Sequence, residues 1–122
     1  MNATSHRLIG ALTLTVVAAS ISPKQEEIAA RAAVGCVGGY CFGTLPDLIE
    51  PATSPNHRQF FHSLTFAVAI CYGLYRLHQW EPVTAEMKAL RIIGLIAGGA
   101  YLVHLALDAT TKRSLPLIGR LP

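Results

Sequence analysis

Imidazole and carboxylate groups gather in three stretches of this sequence: Asp47 with Glu50, His57-Arg58 followed by His62, and His104 followed by Asp108. His6 stands apart, close to the start. His104 and Asp108 are four residues apart, so on a helix they share a face and can bind one ion together. Imidazoles combined with carboxylates suit zinc and neighbouring first-row ions, whereas magnesium alone favours an all-oxygen shell. A catalytic ion keeps one position open for water and lowers its pKa toward neutrality. His6, His57, His62, His104, Asp108 and Asp47 exceed the ligands of one tetrahedral site. Either some orient the others and fix ring tautomers, or two ions share the cluster. Asp47 or Glu50 is the expected proton acceptor from water, and the Arg58 guanidinium suits an anionic group on a substrate.

These groups converge only if the chain folds back on itself. Four apolar runs provide the means: Leu8 to Ile21, Ile28 to Leu45, Phe60 to Leu77 and Ala89 to Leu107. The last three approach the about 20 residues that cross a hydrocarbon core; the first is shorter. Ser22-Pro23-Lys24-Gln25 has the form of a helix start, with a capping Ser, a Pro at the first helical position and a Gln three residues after the cap. The second helix is therefore expected from near Pro23, with Leu45-Pro46 stopping it. Ser54-Pro55 is expected to open the third, Glu81-Pro82 to separate it from the fourth, and Thr84 to cap the fourth. The expected fold is all-α: a four-helix up-down integral membrane bundle, one domain over residues 1–122. Arg7, the apolar stretch after it and Val17-Ala18-Ala19 also fit a signal peptide cleaved after Ala19, which would leave three helices.

Composition agrees with a bilayer. Apolar residues make up 52% of the chain and charged residues 14%, against a usual charged share of about 25%. That balance excludes a disordered tail. The net charge of +3 is scattered without a basic face, which excludes a nucleic-acid binder. Cys36, Cys41 and Cys71 lie inside apolar runs and read as small buried hydrophobes, not as a disulfide framework. Gly35, Gly39 and Gly43, and again Gly94 and Gly98, keep the spacing that lets membrane helices approach closely. Trp80, Tyr75 and Tyr72 fit an interface at the far end of the third helix.

Four antiparallel crossings bring the N-terminus, the loop between helices two and three, and the C-terminus to one face. His6, Asp47, Glu50, His57, Arg58, His62 and Asp108 lie there, with His104 one turn deeper; His78 lies on the other side. On the fourth helix Gly94, Ala97, Gly98, Tyr101, His104, Leu105 and Asp108 fall within an arc of roughly 120°. Arg58, His62, Thr65, Ala69 and Tyr72 are expected to share the inward side of the third helix, and His6, Gly10, Thr13, Val17 and Ser20 that of the first. Ionisable residues at membrane depth are costly and read as functional by default. Plainer readings exist: His6 and His57 as solvated residues, Asp47 and Glu50 as loop carboxylates, Arg58 reaching for lipid headgroups. Lys and Arg divide evenly between the two faces, so the positive-inside rule assigns no orientation.

With these residues in hand, the chain resembles the YdjM-like family of small bacterial inner-membrane proteins, described as LexA-regulated, membrane-bound, metal-dependent hydrolases. The resemblance rests on Ser5-His6-Arg7-Leu8 with Gly10, on Gly43-Thr44-Leu45-Pro46-Asp47, on His57-Arg58-Gln59-Phe60-Phe61-His62-Ser63, and on His104-Leu105-Ala106-Leu107-Asp108 with Thr111 and Pro116. It implies that His57, His62, His104, Asp108 and Asp47 form the metal and catalytic site, joined by His6. Many relatives carry a second Asp two residues after the Pro-Asp carboxylate; this chain has Ile49 there and offers Glu50 beside it. The chain is also short for the family. An all-helical His and Asp cluster is similar to that of zinc phospholipase C, which favours a phosphoester substrate.

The expected function is hydrolysis of an ester or phosphoester, or a lipid-like substrate, at the inner (plasma) membrane interface by a multi-pass enzyme using a divalent ion, zinc being the best suited. The rival expectation is a non-enzymatic membrane protein whose polar cluster binds or passes an ion, or only staples the helices. The lipid bilayer is the expected partner in either case. Sequence alone assigns no oligomeric state.

Overall fold

The computed structural model describes residues 2–51, 53, 59–111 and 115–118. His57 and Arg58, two expected site residues, lie outside them, as does the expected helix start at Ser54-Pro55. Helix α1 runs Ala3–Ser20, α2 Ile28–Phe42, α3 Leu45–Ile49, α4 Leu64–Gln79 and α5 Ala85–Ala109, with single 3₁₀ turns at Gln25–Glu27 and Phe60–His62. No strand occurs among the described residues.

Local chemistry sets the boundaries, not always where the pattern places them. The Asn2 side chain caps α1 by accepting from the Ser5 N–H at 2.9 Å. Ser22 does not cap α2; its hydroxyl donates to the Ala18 carbonyl at 3.0 Å and closes α1 instead. The chain therefore makes a 3₁₀ turn before α2 begins at Ile28. Pro46, expected only to end a helix, sits in the first turn of α3, where its missing N–H costs nothing. Helix α4 begins at Leu64 because Ser63 accepts from the Phe66 N–H at 3.1 Å. As expected, Glu81-Pro82 lies between α4 and α5, and Thr84 caps α5 by accepting from Met87.

Helix α5 is central, in contact with α1, α2, α3 and α4, while α1 lies along α2. The two glycine series do different work. On α2 the approach is backbone to backbone: a Cβ on Gly39 would meet the Gly10 carbonyl, and one on Gly35 the Leu14 carbonyl. On α5 the glycines are holes for side chains, Gly94 for Leu77 and Gly98 for Leu74 of α4.

Burial is inverted relative to a water-soluble domain. Buried residues include His6, Glu50, His62, Ser63, His104 and Asp108, whereas Leu8, Leu12, Val16, Val37, Val68, Leu90 and Ile93 are exposed. An apolar exterior around a polar interior fits a lipid solvent. Two stretches, Gln25–Ile49 and Ala85–Ala109, are long and apolar enough to cross a bilayer. Helix α4, with 16 residues, extends only about 24 Å at about 1.5 Å per residue, short of a core about 30 Å thick. Cys36, Cys41 and Cys71 are exposed on the outer surface, contrary to the expectation of burial.

Candidate metal centre

The polar interior is assembled from four segments that meet beside the end of α2. His6 comes from the first turns of α1, Asp47 from α3, His62 from the 3₁₀ turn before α4, and His104 with Asp108 from the last turns of α5. Gly43, just after α2, makes the approach possible: a Cβ there would fall 2.9 Å from the His6 carbonyl. The His6 ring consequently stacks on His104, with centroids 3.7 Å apart and planes 20° from parallel.

Hydrogen bonds outside the cluster orient the rings within it. His104 Nδ1 lies 2.8 Å from the Gly43 carbonyl. A carbonyl only accepts, so Nδ1 carries a proton and Nε2 is the ring nitrogen turned inward. That Nε2 is buried without a hydrogen-bond partner, as is Nδ1 of His6. The turn that carries His62 is tied down from two directions. Glu50 accepts from the N–H groups of Gln59, Phe61 and His62, and Tyr101 of α5 donates its hydroxyl proton to the Phe61 carbonyl at 2.8 Å.

The carboxylates close the arrangement. Asp47 Oδ1 lies 3.2 Å from His62 Nε2 and 3.4 Å from His104 Nε2. Asp108 Oδ2 lies 3.5 Å from His104 Nε2 and 3.9 Å from His62 Nε2, and its Oδ1 lies 3.4 Å from His6 Nε2. Two groups of potential ligands follow, His6-His104-Asp108 and Asp47-His62-His104, each with its atoms within 4.8 Å of one another. They share His104. A cation would lie between nitrogen lone pairs and carboxylate oxygens, and would give the orphaned His104 Nε2 the partner it lacks, so the donor set fits a divalent ion. Asp47 is 31% exposed and forms the open side of the cluster.

Of the expected site residues, His6, Asp47, His62, His104 and Asp108 come together, and Glu50 reaches them through His62. The faces drawn for the helices need correction. Thr65, Ala69 and Tyr72 are exposed and share no inward side with His62, because His62 precedes α4 instead of lying on it. On α1 the buried residues are His6, Gly10, Ala11 and Leu14, whereas Val17 is 47% exposed. On α5 the expected arc holds at its site end, where Tyr101, His104, Leu105 and Asp108 are buried. Sequence reasoning missed the Gly43 carbonyl and the Tyr101 hydroxyl as orienting groups. Tyr101 at helical spacing from His104 was the available signal, since a buried phenol needs a polar partner.

The family model described as YdjM inner membrane protein matches residues 1–118 of the chain. No curated protein and no solved structure matches it.

Proposed function

Because the chain belongs to the YdjM inner membrane protein family, we propose that it is a four-span membrane hydrolase whose buried His and Asp cluster works with a divalent ion, zinc being the best suited. The observation that carries this reading is the pair His104 Nε2 and His62 Nε2, both turned by outside partners toward Asp47 and Asp108. His62, His104 and Asp108 hold the ion, with His6 beside them from α1. A bound divalent ion would supply Lewis acidity and bring the pKa of water toward neutrality. Asp47, the carboxylate on the open side, would serve as the proton acceptor for an attacking water. His57 and Arg58 precede the His62 turn in sequence; His57 is a further ligand and Arg58 holds the anionic group of the substrate.

The substrate class is an ester or phosphoester, including lipid-like molecules that reach the site from the interface. The helices form an up-down bundle, with α1 crossing beside the two longer apolar stretches and α4, extended by the Phe60–His62 turn before it, making the remaining pass. A screen of phosphoester and ester lipids with purified protein in bilayer discs tests the activity. Zinc-dependent product release that disappears in His104→Ala is expected. No turnover of any ester or phosphoester by zinc-loaded protein would favour the rival reading, in which the cluster binds or passes an ion without chemistry.

A further inference from the structure

We propose that Glu50 is a positioning residue that acts on the metal centre through His62, fixing its ring with the proton on Nδ1 and with Nε2 turned toward Asp47 and Asp108. The proposal rests on the metal reading above and takes from Glu50 the role of proton acceptor. Glu50 follows α3 as its C-cap and is 4% exposed. One carboxylate oxygen accepts from the N–H of Gln59 and of His62, each at 3.2 Å, and faces His62 Nδ1 at 2.8 Å. The other accepts from the Phe61 N–H at 3.1 Å.

Main-chain N–H groups are obligate donors, so three of them converging on one carboxylate require it to remain an acceptor. A ring nitrogen 2.8 Å from that acceptor carries the proton. The opposite nitrogen is thereby aimed at Asp47 Oδ1, 3.2 Å away, and would serve as the ligand atom once a cation displaces its proton. A carboxylate bound to the far side of a ligating imidazole also raises its basicity, and removing such a partner costs about 10- to 100-fold in metal affinity. His62 lies between Glu50 and the other carboxylates, with Nδ1 on Glu50 and Nε2 on the side of Asp47 and Asp108, which opposes a role for Glu50 in taking a proton from water. The Tyr101 hydroxyl holds the same turn from α5, so the turn keeps an anchor when Glu50 is altered.

The test uses full-length, histidine ¹⁵N-labelled protein in detergent micelles, stripped of metal, with long-range ¹H–¹⁵N correlations reading the tautomer of each ring. A proton on His62 Nδ1 is expected in the unaltered protein, and a His62 ring whose Nδ1 carries no proton overturns the proposal. Titrations with zinc and with cobalt follow. Glu50→Gln keeps an acceptor oxygen, so it should retain the tautomer and lose about 10-fold in affinity; Glu50→Ala should mix the tautomers and lose about 100-fold. Glu50→Ala that binds both metals as tightly as the unaltered protein overturns the assignment. So does Glu50→Gln that loses turnover while its metal affinity and tautomer are unchanged, the signature of a proton acceptor. Unaltered protein that binds neither zinc nor cobalt overturns the metal reading. That failure is distinct from a failure of the Glu50 assignment, which shows in the metal-free tautomer.

Discussion

His104 Nδ1 and the Gly43 carbonyl, 2.8 Å apart, join α5 to the residue that follows α2. Gly43 also lies against the first turns of α1, where a Cβ would fall 2.9 Å from the His6 carbonyl, so a single residue orients one ring of the His6–His104 stack and admits the other. Helix packing and ligand geometry are therefore one problem here. A methyl group at this glycine would act on both.

Gly43→Ala is expected to push α1 away from α2, destabilise the protein by about 1–3 kcal/mol, and weaken metal binding by displacing His6. Gly73 of α4 is the control, since a Cβ there meets nothing within 4 Å. Gly73→Ala should be neutral or stabilise by up to about 1 kcal/mol through helix propensity. Thermal unfolding in detergent, followed by circular dichroism, separates the two.

Asp47→Asn should lower turnover by about 10²- to 10⁴-fold, the usual worth of a positioned proton acceptor. Metal content should stay within a few-fold of the unaltered protein, because His62, His104 and Asp108 remain. Asp108→Asn should lose the metal itself. Parallel kinetics and elemental analysis of the two variants distinguish the roles.

Metal removal should lower stability by the free energy of binding. Zinc at 100 times its dissociation constant stabilises the folded form by about 2.7 kcal/mol, so chelator-treated protein should unfold at a lower temperature and recover when zinc returns. His62→Ala should show no such recovery. Calorimetric or fluorescence-detected melting checks this.

The α5 half of the site is legible because one helical period carries it: Tyr101, His104, Leu105 and Asp108 recur on one side and all are buried. The α4 half is hidden because the run from Phe60 to Leu77 is apolar enough overall to read as one helix. The polar pair His62-Ser63 interrupts it, yet hydropathy alone does not say that Ser63 starts the helix after His62 and so changes the phase of all that follows. Ser22 misleads in the opposite sense, because a hydroxyl can cap the next helix or donate back to the previous one, and only the path of the chain decides. The orienting role of Glu50 depends on main-chain N–H groups, which sequence does not display.

The central claim is that residues from both ends of the chain share one metal centre, and elemental analysis of purified protein tests it most directly. Unaltered protein, purified without chelator and reloaded with zinc, should retain the ion through desalting, while His62→Ala and His104→Ala of intact helical content should lose it. Unaltered protein that retains no divalent ion, or variants that retain as much as it does, would contradict the account.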